Sequence, residues 1–483
     1  MSKPPSEAAG PGTRAAFRFP WRVFLILAGI YLASVAGRLP VVDEAIMFAQ
    51  TRSLLQGKLS ISGVGLDHVT PVGVDGLHYS QYGVLMPVLW IPSTVAVRAV
   101  AAIAPRFPLK MLEEFAASFI NVAASLGILG YLVLEWRRRG VSESMVRFGL
   151  WGVGLSSLLW AYAKMPFSDP WMALGLFAAF CHWRWRLNVP SRALGLPHAV
   201  WCGFWLGVAL LSRKQAQMLV PMLLVFFAWE VRRGPWTDLF RVVATFLPAV
   251  MIQALYNYGR FGNPLLERYP YADTLAPAGP VQIASNFVLV FVDAQNGFIL
   301  FNLFVIALAV IGAARWWRSD PMEALLPWGL LLASAAFLSR YWFWNGGLCF
   351  GSRYLLFMIP FFALGLAALP PLTPALRAGL LGVIALGASI QLAGVLVDPL
   401  AVTWRMQFVE PKPASTPVAY VGEVRRVLTQ SQPTLNSEGQ GTAYATHPAF
   451  RVPDLWWAHF AYELTGHGVS RPAASTVPGG GNR

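Results

Sequence analysis

The sequence predicts an all-α polytopic membrane protein, a bundle of about eleven transmembrane helices with a long outer loop after the first crossing. Three observations predict it. Of the 483 residues, 56% are apolar and only 12% are charged, about half the charged share of a soluble domain. The apolar residues fall in blocks of about 12 to 20, close to the ~20 that a helical crossing needs. Small arginine clusters recur between alternate blocks, where they orient a membrane chain.

Residues 1–20, rich in Pro, Gly, Ala and Ser, are expected to form a disordered cytoplasmic N-terminus. The first span follows at 21–36. It runs into Arg38 and Asp43 with no small-residue cleavage site, so it is expected to persist as a helix and not be removed as a signal peptide. Further spans are expected at 115–134, 148–163, 171–185, 200–211, 218–229, 242–256, 297–314, 324–338, 354–369 and 378–397. Several are shorter than about 17 residues and must extend into polar neighbours.

The stretch 82–104 is also apolar but contains Pro87, Pro92 and Arg98. A full crossing there would place Arg137, Arg138 and Arg139 outside and invert every later loop, so it is read as re-entrant or lying along the interface. With the N-terminus inside, the cytoplasmic face receives Arg14, Arg18, Arg22, Arg137 to Arg139, Arg184, Arg186, Arg192, Arg232, Arg233, Arg315 and Arg318. The outer face of the plasma (inner) membrane receives the first loop, 37–112, the turn at Asp169, the Arg213-Lys214 hairpin, the loop 257–296, the turn 340–353 and the tail 398–483. In that tail, Pro453 to Trp457 reads as a short helix with tryptophans at headgroup level, and the last dozen residues as disordered.

The net charge of +14 does not indicate nucleic-acid binding, because its basic residues are dispersed between apolar blocks. Cys181, Cys202 and Cys349 are too few and too scattered for a disulfide framework or a metal site. No internal repeat or matching halves of the inverted-repeat transporter kind occur.

Charged residues are scarce in mid-span and gather at the outer ends, a distribution that suits a reaction at one face. Asp43-Glu44 opens a helix expected to continue from Ala45 to Gln56 and stop at Gly57. Asp43 reads either as its N-cap or as a carboxylate that takes a proton from an incoming hydroxyl. Asp169, in Ser168-Asp169-Pro170, reads either as an N-cap or as a second site carboxylate. The turn from Trp342 to Arg353 combines aromatics with Gly346, Gly347 and Gly351 and ends on Arg353 at a helix start, a seat for a phosphate. His68 and His78 read as surface histidines, not metal ligands.

Asp43-Glu44, Tyr79 to Gly83 with Pro87 and Pro92, Ser168-Asp169-Pro170, Gly207-Val208-Ala209 with Arg213, Tyr256 to Pro264, and Gly346-Gly347 through Tyr354 follow one another in an order that resembles the GT-C membrane glycosyltransferases. The bacterial branch related to protein O-mannosyltransferases and the lipid A aminoarabinose transferase is the part resembled, over residues 21–369. The resemblance implies a GT-C-like catalytic domain at 21–397. It implies inverting transfer of a monosaccharide from a polyprenyl phosphate carrier to a lipid, glycan or protein hydroxyl on the outer face. Asp43 becomes the expected general base, with Glu44 supporting or substituting, and Asp169 the expected positioning carboxylate. Arg353 is the expected phosphate ligand, Arg213 and Lys214 are further phosphate candidates, and Tyr82 and Asn257 are expected substrate contacts. A monophosphate leaving group and the absence of Asp-x-Asp in the first loop lead us to expect no metal and no cofactor. A lipid-linked sugar flippase, using Gln253, Asn302, Gln391 and His182 at mid-membrane, is one alternative. A polymerase or ligase using a diphosphate-linked donor is the other.

Overall fold

The structure, a computed structural model, describes residues 19–62, 65–103, 108–186, 197–232, 235–265, 279–293, 296–340, 344, 346, 349–399, 401–402, 405, 416–429 and 452–464. Both expected disordered termini, apart from residues 19–20, lie outside the described residues, as do Trp342, Phe343, Asn345, Gly347 and Leu348 of the aromatic turn.

Apolar runs become helices because backbone groups in lipid must be satisfied within the segment. In chain order these are α1 (Trp21–Ser34), α2 (Val42–Leu54), α3 (Leu85–Ile103), α4 (Leu109–Ser118), α5 (Ile120–Arg138), α6 (Glu143–Ser156), α7 (Leu158–Lys164), α8 (Asp169–Trp185) and α9 (His198–Ser212). They continue as α10 (Ala216–Val231), α11 (Trp236–Phe261), α12 (Pro280–Val292), α13 (Leu303–Trp316), α14 (Pro321–Leu338), α15 (Met358–Ala363), α16 (Pro374–Leu396), α17 (Thr416–Thr429) and α18 (Trp456–Leu464). Among the described residues the only β pairing is an isolated bridge between Val72 and His78. By length and composition α3, the continuous α4–α5 stretch, α11, α14 and α16 each suffice to cross a membrane, and α1, α9, α10 and α12 are shorter apolar helices.

Two expected spans are broken helices. The span at 148–163 divides into α6 and α7 at Ser157, whose backbone is extended (φ −129°, ψ 165°). The freed amide of Leu158 donates to Asn302 Oδ1 at 3.1 Å, and that of Leu159 to Ser157 Oγ at 3.3 Å. Irregular backbone at this depth is tolerated because protein side chains complete it. Asn302→Leu is therefore expected to cost about 1–3 kcal/mol, the penalty of an unsatisfied buried amide. Thermal unfolding in detergent checks this, and an unchanged midpoint would contradict it. The span at 354–369 divides into a 3-10 turn (Arg353–Leu355), α15 and a second 3-10 turn (Leu364–Ala368). In the second turn Gly365 lies so close to α13 that a Cβ would collide with the Leu308 carbonyl.

Small residues let other helices approach. A Cβ on Gly175 of α8 would lie 2.7 Å from the Ala209 amide of α9, and one on Gly207 would lie 2.8 Å from Ala249 Cβ of α11. This is the close packing that replaces the hydrophobic effect between helices in lipid.

Ion pairs sort the loops into the two ends expected from charge. At one end Arg139 pairs with Glu135 (2.8 Å) and Glu323, and Arg184 with Glu230 and Asp320 (3.6 Å). Trp185 Nε1 donates to Glu135 Oε2 at 2.6 Å. The other, the site end, gathers Arg38, Asp43, Lys164, Asp169, Arg213, Arg353, Asp398 and Asp454 in a second set of pairs. α3 is one continuous helix through Pro92, not a re-entrant pair. Contacts tie it to the end of α9 and to α4. Gly83, just before it, abuts the Ser212 carbonyl, Trp90 Nε1 donates to the Ala117 carbonyl at 2.9 Å, and Arg98 pairs with Glu113 at 2.7 Å.

The tail docks at the same end. The Trp456 amide donates to the Val35 carbonyl (2.8 Å), and the indoles of Trp456 and Trp457 donate to the Leu32 and Ala33 carbonyls (3.1 and 3.0 Å).

Candidate functional site

α2 begins two residues earlier than a cap at Asp43 would require. Val41 is the N-cap, and Glu44, third in the helix, turns back so that the Val41 amide donates to its Oε2 at 3.2 Å. Asp43 is thus not the cap. As the second helical residue it projects away from that turn, and its Oδ2 accepts from Arg353 Nη1 at 3.0 Å with 23% of the side chain exposed. Glu44 is fully buried, and its Oε1 has no hydrogen-bond partner among the described residues. Burial pushes its carboxyl well above the usual carboxylate range, against the smaller opposing effect of the Val41 amide.

Asp169 also differs from a cap. Ser168 is the N-cap and Asp169 the first helical residue, with Pro170 following. Its Oδ2 accepts from Arg213 Nη1 at 2.5 Å, and the side chain is fully buried. Arg213 reaches it because α9 ends at Ser212 and the chain runs extended through Arg213 (φ −156°, ψ 141°) before α10. Lys214, one residue on, is exposed.

Arg353 follows two glycines with left-handed backbone, Gly346 (φ 82°) and Gly351 (φ 65°), a conformation other residues adopt only with strain. A Cβ on Gly346 would stand 3.1 Å from Arg353 Cγ, so the glycine lets the chain pass directly over the arginine. The expected helix start at Arg353 is only a single 3-10 turn, and an anion there would meet the guanidinium and not a helix terminus. The Arg353 guanidinium lies 4.7 Å from the Phe167 ring and 5.1 Å from the Tyr354 ring, and Arg213 approaches the same Tyr354 ring at 4.9 Å. Two arginines thus flank one tyrosine, each holding one carboxylate.

Asp43, Asp169, Arg213 and Arg353 are therefore brought into one cluster. Tyr82 packs against α2, the helix that carries Asp43 and Glu44, touching the groups around Met47, Phe48 and Trp90 and around Ile46 and Ala49. Asn257 is engaged elsewhere. It accepts from Gln253 Nε2 (3.0 Å) and Arg260 Nη2 (2.7 Å) and donates to the Pro264 carbonyl (3.2 Å). Those bonds tie the end of α11 to itself.

Sequence reasoning missed three residues at this end. Arg260 is almost completely buried, donates to the Ser80 carbonyl, and so links α11 to the first loop. Lys164 and Asp454 are both buried and pair at 2.6 Å, and Asp454 also accepts from Arg38 at 2.9 Å. A lysine at the end of an apolar block was the available signal, but nothing local to it names a partner 290 residues away. Among the described residues no group of three or more His, Cys, Asp or Glu side chains is arranged to hold a metal. His78 Nδ1 lies 3.2 Å from both the hydroxyl and the carbonyl of Thr70 and so belongs to the loop's own framework.

No protein-family model matches the chain, and no curated protein matches it in sequence. Solved structures do match. ArnT from Cupriavidus metallidurans bound to undecaprenyl phosphate aligns at 17% identity and TM-score 0.52, over 92% of this chain and 78% of ArnT. Its apo form aligns at 16% identity and TM-score 0.50, over 85% and 69%. The apo oligosaccharyltransferase of Archaeoglobus fulgidus aligns at 14% identity and TM-score 0.51 over 82% of this chain, which spans 59% of that protein's length. At these identities the likeness is one of fold: the chain shares the polytopic helical fold of ArnT and the archaeal oligosaccharyltransferase.

Proposed function

We propose that this chain is an inverting glycosyltransferase that moves a monosaccharide from a polyprenyl phosphate to a hydroxyl acceptor at the outer face of the plasma membrane. The observation that carries the proposal is the pairing of Asp43 with Arg353 beside the buried Asp169–Arg213 couple, at one end of a GT-C fold. That the ArnT structure holds undecaprenyl phosphate supports a lipid phosphate as donor. The arginine-rich end, with Arg137 to Arg139, Arg184 and Arg186, would face the cytoplasm and the site end the exterior.

In this reading the Asp43 carboxylate takes the acceptor hydroxyl's proton as that oxygen bonds to the anomeric carbon. The bond from that carbon to the phosphate oxygen breaks, and its electron pair leaves on the polyprenyl phosphate. Arg353, with Arg213 beside it, stabilises the charge that accumulates there. Asp169 holds Arg213 in place, and Glu44 fixes the first turn of α2 and thereby the direction of Asp43. Asp43 suits the base better than Glu44, because it is the carboxylate that retains an open face. α3 would lie along the outer interface, its apolar face toward lipid. Val88, Val95, Val100 and Ile103 are all exposed on it.

A conduction path is disfavoured by the mid-bundle polar groups, which bond to protein. Asn302 completes the broken helix, and Gln391 Nε2 donates to the Phe301 carbonyl at 2.8 Å. His182 is held between His198 (2.9 Å) and Tyr131 (3.0 Å).

The test is transfer of labelled sugar from a panel of polyprenyl phosphate monosaccharides to membrane acceptors. Wild type is expected to transfer from at least one donor, and Arg353→Gln to lose about 10²-fold in rate, the usual cost of one charge-stabilising donor. Transfer undiminished in Arg353→Gln would sink the assignment of the phosphate seat.

A further inference from the structure

The cluster balances its charges internally. Asp43 occupies Arg353 Nη1 at 3.0 Å and Asp169 occupies Arg213 Nη1 at 2.5 Å. The two couples are not equivalent. Asp169 is sealed at the start of α8 with no exposed surface, whereas Asp43 keeps 23% of its side chain exposed. Arg353 is itself held fast, with 9% of its side chain exposed and the Phe167 and Tyr354 rings against its guanidinium. Its Nε is buried and makes no hydrogen bond among the described residues, so the guanidinium retains a donor that Asp43 does not use.

An arginine packed in this way cannot swing outward to meet a ligand. A phosphate must come to it, and a second anion at the same guanidinium edge would repel the Asp43 carboxylate. A charged acid that has lost its arginine partner is free to turn toward water or toward an acceptor hydroxyl. Building on the transferase reading, on which the inference rests, we propose that the donor phosphate and Asp43 exchange at Arg353. Phosphate binding expels Asp43 from its ion pair and so delivers the carboxylate that accepts the acceptor's proton. Asp169 does not exchange, because it has no open side, and it keeps Arg213 beside Tyr354 as the fixed half of the seat. The reaction then takes donor before acceptor. In the resting protein Asp43 stays paired with Arg353 and does not activate water against an empty site.

The exchange is tested by equilibrium binding of undecaprenyl phosphate to the purified full chain in detergent. If Asp43 competes with the phosphate, Asp43→Asn should bind it about tenfold more tightly than wild type, on the scale of one charge-assisted hydrogen bond, while its sugar transfer falls. A carboxylate that acts only as a base would leave the dissociation constant unchanged. Equal or weaker binding by a folded, monodisperse Asp43→Asn therefore overturns the exchange and leaves the transferase reading standing. Failure of wild type to bind undecaprenyl phosphate at all overturns both. Inorganic phosphate serves as a second probe. Stronger displacement of the lipid by phosphate in Asp43→Asn than in wild type supports the exchange at the headgroup, and tightening confined to the lipid, with phosphate unaffected, overturns it. Asp43→Ala, read in the same way, keeps the test decisive should the amide variant not fold.

Discussion

Asp43→Asn is expected to reduce sugar transfer by about 10²- to 10⁴-fold, the range that a positioned general base contributes. The amide preserves the size of the side chain and can still accept a hydrogen bond from Arg353, so the loss should fall on the chemical step and not on folding. Glu44→Gln is the informative comparison. Glu44 is buried, and it accepts the Val41 amide with Oε2, a bond that the amide oxygen of Gln can also accept. Burial raises its carboxyl well above the usual carboxylate range, and Gln keeps the shape of the side chain without the charge that burial disfavours. Transfer by Glu44→Gln should therefore stay within about tenfold of wild type, since one intact capping bond is worth only about 1 kcal/mol. Measuring both variants in the same membranes, at matched protein levels, checks the pair. The reverse order of effects would move the base to Glu44.

The largest expected effect on stability lies in the tail. Asp454 accepts from Arg38 Nη2 at 2.9 Å, forms an ion pair with Lys164 Nζ at 2.6 Å and lies 3.1 Å from His459 Nε2, and its own amide donates to the Leu396 carbonyl at 2.8 Å. Lys164 has no exposed side-chain surface, and its Nζ donates to the carbonyls of Val395 (2.8 Å) and Val397 (3.2 Å). Removing Asp454 therefore leaves a buried ammonium without its counter-charge. Asp454→Ala is expected to cost about 3–5 kcal/mol, the typical penalty for breaking a buried pair from one side. Denaturation in detergent reads this directly, and a loss below about 1 kcal/mol would place the network among exposed pairs, which contribute little. Arg38 lies five residues before Asp43 and Lys164 five before Asp169, so the same variant should also loosen both carboxylates of the site.

Acid acts on the same group. Burial alone would raise the Asp454 carboxyl, but Arg38 and Lys164 outweigh it and hold the group well below its ordinary value of 3.8. A carboxylate lowered by folding stabilises the native state fully above its unfolded value, and that contribution is lost as the pH falls below it. The Asp454 contribution is accordingly present at neutral pH and disappears only in strong acid.

The positions of most helices were legible in the sequence because hydropathy acts locally. The expected spans at 200–211, 218–229 and 242–256 lie inside α9, α10 and α11. The common end of Asp43, Asp169, Arg213 and Arg353 was legible too, because arginine clusters between alternate blocks fix which loops share a face. The breaks were not legible. Nothing in 148–163 announces the kink at Ser157, since the group that completes it, Asn302, comes from α13's leading turn. Hydropathy likewise reads 82–104 as apolar without saying that its helix is tied to α4 through Ala117 and Glu113.

The sequence by itself determined an all-helical membrane chain, the sorting of its loops into two ends and the residue types available at one of them, all consequences of composition within short windows. Only the tertiary structure decided which partners meet. Asp43 and Arg353 are 310 residues apart in sequence, Asp169 and Arg213 44 apart, and no local preference selects a partner over such distances. The selection comes from helix packing. It turns Glu44 inward and leaves Asp43 at the surface of the site, and it carries Asp454 from the tail to the buried Lys164.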